Sequence, residues 1–214
     1  MFALGVSIVV FLLLALIWVF SDKYYKAVAA EIEQAAEELG FSYSRQGNFL
    51  LLSDTATSLI YVNPEDKRDR PPGTMDGYME AERDGVVEAV FNANGQTIAY
   101  FRSTLLNLPC FCLIPKGRYA VVPWTLREVI FDDEDEAEFA SRYRLFGIDL
   151  EMTERQMSQE RMAFFLSHPG AEVLCELNTV IYFFRRTLVS AEDIPAFLNE
   201  AREVVELFTQ RNPG

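Results

Sequence analysis

Four groups of residues in this 214-residue chain carry side chains able to do chemistry: the single histidine, the three cysteines, one acidic run and one basic cluster. His168 is followed by Pro169 and Gly170, which reads as a turn. Three cysteines, Cys110, Cys112 and Cys175, cannot all pair within one molecule, and Cys110 and Cys112 stand too close in an extended strand to bridge each other easily. A Cys/His zinc site would need ligands drawn from distant segments without any CxxC spacing, so no metal site is expected. Cys110 could in principle serve as a redox thiol. The alternation around it predicts packing instead: Cys110, Cys112 and Ile114 share one face of a strand, and Phe111 and Leu113 share the other.

The acidic run Asp132-Asp133-Glu134-Asp135-Glu136, with Glu138 close behind, has the density of a calcium loop but not its pattern. Counted from Asp132, the sixth position is Ala137 rather than Gly and the twelfth is Tyr143 rather than Glu. The run reads instead as carboxylates gathered at the N-terminus of a helix through Tyr143, with Phe139 and Tyr143 facing the core. The basic cluster Lys67, Arg68 and Arg70 is a conceivable interaction surface for a phosphate or headgroup. Glu65, Asp66 and Asp69 are interleaved with it, which favours a solvated loop. No G-x-S-x-G elbow, P-loop or G-x-G-x-x-G is present. Carboxylate pairs of the glycosidase kind are easily drawn from 32 Asp and Glu residues, and none stands out. No catalytic residue and no cofactor is implied.

The formal net charge of -13 argues against nucleic acid as a partner, because that affinity rests on Lys and Arg neutralising phosphates. Half the residues are apolar and 13% aromatic, a composition that folds.

The elements that hold these groups can be read from patterning. Phe2 to Phe20 is uncharged, and fourteen of its nineteen residues are Leu, Ile, Val or Phe, which predicts a transmembrane helix. Trp18 lies where a ring prefers the headgroup level, and Ala3, Gly5 and Ser7 form a small-residue side where a neighbouring helix could approach closely. A cleaved signal peptide is the competing reading, given Ala27-Val28-Ala29. It is opposed by the length of the run, by the absence of Lys or Arg ahead of it, and by Asp22, Lys23 and Lys26 behind it. Lys23 and Lys26 just after the run, together with unpaired thiols, predict an inner or plasma membrane location with the N-terminus outside and the domain cytoplasmic.

Residues 1–22 are thus expected as an anchor, 23–40 as a juxtamembrane helix stopped by Gly40, and 41–214 as one domain. Its expected class is α+β, one N-terminal transmembrane helix followed by a mainly antiparallel sheet with packed helices. Strands are expected over Phe41 to Ser44, Asn48 to Leu52 and Ser58 to Val62, with an exposed loop over Glu65 to Gly73. Tyr78 to Glu82, Val86 to Phe91 and Gln96 to Arg102 read as a meander turning at Asp84-Gly85 and Asn92 to Gly95. Cys110 to Ile114 reads as a strand covered on both faces. A helix over Glu154 to Leu166, a hairpin turning at Leu177-Asn178-Thr179, and a final helix from Ser190 complete the chain. The last has Asp193 placed for a capping box and Val189 and Ile194 for a hydrophobic staple.

From Asp76 onward this order of features resembles a family of uncharacterised bacterial membrane-anchored proteins known by its domain of unknown function. The carrying residues are Thr97 to Arg102, Leu106 to Gly117, Glu138-Phe139, Tyr143 and Gly147, followed by the methionine-bearing helix, the apolar hairpin and the closing helix. Cys110 and Cys112 depart from that pattern. The resemblance implies an α+β domain behind a membrane anchor and brings no catalytic residue, cofactor or substrate.

These readings point to a non-enzymatic, single-pass accessory or assembly subunit of a larger membrane complex, with an integral membrane protein as its partner. The alternatives are a tethered binding or regulatory domain and a carboxylate-using hydrolase.

Overall fold

The computed structural model describes residues 26–47, 56, 76–117, 122–131 and 134–209. The first described element is helix α1 (residues 26–39), which buries Ile32, Ala35 and Ala36 and turns Glu31, Glu33, Glu37 and Glu38 outward. Gly40, at φ +70°, closes it. The Gly40 amide donates to the Glu37 carbonyl at 3.0 Å and the Phe41 amide to that of Ala36 at 2.8 Å, the paired bonds of a Schellman stop.

Nine strands follow: β1 (Ser42–Gln46), β2 (Asp76–Arg83), β3 (Val86–Ala93), β4 (Gln96–Ser103), β5 (Leu108–Pro115), β6 (Arg127–Glu128), β7 (Tyr143–Gly147), β8 (Ala171–Leu177) and β9 (Thr179–Phe184). They form one sheet in the order β1-β2-β3-β4-β9-β8-β5-β7-β6. Every pairing in it is antiparallel. The meander turns are built from Asp84-Gly85 and Asn94-Gly95, all four residues at positive φ, the backbone that a tight hairpin requires. The late hairpin β8–β9 is inserted between β4 and β5, which are neighbours in sequence but not in the sheet.

Period-two alternation gives the sheet two apolar faces. One carries Met79, Val90, Phe101, Phe111, Leu113, Leu145, Val173 and Tyr182 against the helices. These are α1, α2 (Ala137–Arg142), α3 (Leu150–Glu154), α4 (Gln159–Ser167) and α5 (Ile194–Thr209). The long α5 buries Phe197, Leu198, Ala201, Val204 and Phe208, and Arg202 clamps it to β3 with two bonds to Glu88, at 2.7 and 3.1 Å. The other face carries Tyr78, Phe91, Ile98, Tyr100, Cys112, Ile114, Phe146, Leu174, Ile181 and Phe183, packed with Ala56 and Leu126. Strand β5 is therefore covered on both sides, as its alternation predicts.

The expected fold is corrected in one respect. A transmembrane helix ahead of the domain finds no support: among the described residues no helix is long and apolar enough to cross a membrane. What is observed is a single antiparallel-sheet domain with helices. Helix α1 itself is amphipathic: its glutamates are exposed and its few apolar residues pack on the sheet. Phe2 to Phe20, with Ala3, Gly5, Ser7 and Trp18, lies outside the described residues. So do Lys67, Arg68 and Arg70 and the strands expected at 48–52 and 58–62.

Two further elements differ from expectation. The helix expected over Glu154 to Leu166 begins later, at Gln159, as α4, and a separate short helix, α3, ends at Glu154 ahead of it; each has its own cap. Asp149 accepts from the Met152 amide at 3.1 Å to start one, and Ser158 accepts from the Arg161 amide at 3.4 Å to start the other. The helix expected through Tyr143 ends at Arg142, and Tyr143 opens strand β7, paired with Pro115 of β5.

Candidate interaction surface

The cysteines and the histidine singled out for chemistry are engaged in structure. The thiol of Cys112 is buried on one face of the sheet, that of Cys175 on the other, and Cys110 is half-buried; all three are free. Burial pushes the Cys110 thiol up to about 11, with the charge of Glu176 adding to it. Burial raises Cys112 and Cys175 as well. Such thiols stay protonated at neutral pH and are poor nucleophiles.

His168 caps α4. Its ring stacks on Phe164 at 4.1 Å between centroids, and its Nδ1 lies 2.9 Å from the Phe164 carbonyl oxygen. The neighbouring Tyr143 hydroxyl lies 3.0 Å from the carbonyls of Phe165 and His168 and accepts from the Gly170 amide at 3.3 Å, tying β7 to the turn after α4. Of the acidic run, Glu134–Glu136 form a 3-10 turn ahead of α2, with no side-chain cap bond; Asp132 and Asp133 lie outside the described residues. Among the described residues, no three His, Cys, Asp or Glu side chains converge to hold a metal.

A buried ion pair crosses β8 and β9 on the face away from the helices. Arg185 forks onto Glu172, with Nε 2.9 Å from Oε1 and Nη2 2.6 Å from Oε2. The guanidinium also sits 5.7 Å from the centre of the Phe183 ring. Both charges are spent on each other, and the pair welds the hairpin rather than offering a reactive group.

What is left unspent is apolar surface at one end of the sheet. Strands β2, β4, β7 and β8 end there, and β3, β5, β6 and β9 begin there, as the pairings Arg83↔Val86, Ser103↔Val86, Leu108↔Leu177 and Arg127↔Gly147 require. The turns at this end carry Leu105 (78% exposed), Trp124 (93%), Ile148 (54%) and Leu177 (67%), with Met152 (49%) on the α3 that follows Ile148. The backbone knits these turns together: the Ser103 amide donates to the Asn178 carbonyl at 2.9 Å, and the Ile148 amide to that of Cys110 at 3.2 Å. From β4 to β6 the row crosses five strand spacings, about 24 Å. The other exposed large apolar residues described, Ile130 and Leu188, follow β6 and β9 at the opposite end.

Leu177 also occupies a conformation that suits another residue. It is the first residue of the two-residue loop closed by Glu176↔Thr179 and has φ +51°, where glycine is the usual choice. Beside it, on the face away from the helices, is a partly open cavity of about 190 Å³ whose walls include Tyr100, Leu174, Leu177 and Ile181.

This surface cannot be read from sequence as a unit, because its members stand in separate turns and only the strand order brings them to one end. The available signal was the presence of bulky apolar residues at turn positions, where Gly, Pro, Asn and Asp predominate.

No protein-family model and no curated protein matches the chain. Among solved structures, the chain is similar to the crystal structure of the mycobacterial trehalose monomycolate transport factor A, TtfA. The TM-score is 0.60 at 12% identity, covering 84% of this chain and 93% of that one. The two share a fold.

Proposed function

We propose that this chain is a non-enzymatic accessory protein that works by docking onto a larger membrane-transport assembly. The observation that carries the reading is the row of exposed apolar side chains from Leu105 to Trp124 at one end of the sheet, in a domain whose three cysteines and single histidine are engaged in packing. Single exposed apolar residues are ordinary, and what favours an interaction site is that four of them share one end of the sheet. The shared fold, along nearly the whole of a protein described as a transport factor, supplies the direction of the reading. The three free thiols suit work on the cytoplasmic side.

The test is extraction of the tagged full-length chain from its native cells in mild detergent, followed by native electrophoresis. Co-migration with polytopic transport proteins is expected. Migration as a monomer or small homo-oligomer at every protein concentration would overturn the proposal.

A further inference from the structure

We draw no further inference here: the strongest candidate, the patch of exposed apolar turn residues Leu105, Trp124, Ile148 and Leu177 at one end of the sheet, carries nothing beyond the docking already proposed, because nothing among the described residues shows what covers it.

Discussion

At the scale of single residues, the chemistry of this molecule is governed by burial. The folded pKa of Cys110 lies above its ordinary 9.0, at about 11, so the folded state holds its proton longer than the unfolded chain does. Stability from this source is complete below about pH 9 and is lost as pH rises toward 11, and Cys112 and Cys175 shift in the same direction. Urea midpoints are expected to be flat from pH 7 to 8.5 and to fall above 9. Iodoacetamide at pH 8 is expected to reach Cys110 before Cys112 and Cys175, as peptide mass spectrometry would show. The Glu172–Arg185 pair behaves differently, because its members are 2% and 11% exposed and leaving either one alone strands a charge. Glu172→Gln is expected to cost about 3–5 kcal/mol in urea unfolding, and Glu172→Leu combined with Arg185→Met to recover most of it. A midpoint unmoved by the single change would show that the pair is solvated.

At the scale of elements, close packing sets the tolerances. Gly147 ends β7 where α3 folds back on the sheet, and a Cβ there would collide with the Thr153 side chain, with Cγ2 only 2.8 Å away. Gly147→Ala is therefore expected to destabilise by about 1–3 kcal/mol, read as a lower urea midpoint with an unchanged slope. Elements signalled by local chemistry were legible from sequence. The stop at Gly40, the meander turns at Asp84-Gly85 and Asn94-Gly95, the doubly covered strand around Cys112, and the hairpin at Leu177-Asn178 all follow from a few adjacent residues. Elements decided by distant partners were not. Tyr143, expected to end a helix led by the acidic run, instead opens strand Tyr143–Gly147, because β5 has an open edge to fill. Ser190 and Asp193 illustrate a finer miss: the serine hydroxyl donates to the carboxylate at 2.6 Å instead of capping the backbone, and a 3-10 turn precedes α5. The apolar row was illegible for the same reason as β7, since only the strand order brings Leu105 and Trp124 to the same end of the sheet.

At the scale of the whole molecule, the insertion of β8–β9 between β4 and β5 governs how the chain can assemble. The two central strands come from residues 171–184, so the meander and the β5–β7 pair made earlier each hold an unfilled edge until the last quarter of the chain is present. Long-range pairings of this kind fold slowly, and unpaired edges recruit other chains. A fragment ending at residue 165 is expected to be insoluble or unfolded by circular dichroism, whereas a fragment that kept native ellipticity would show the meander to be self-sufficient. During synthesis, the nascent chain therefore carries two sticky strand edges for most of its time on the ribosome. Its yield in a cell should depend on chaperone supply more steeply than its final stability suggests.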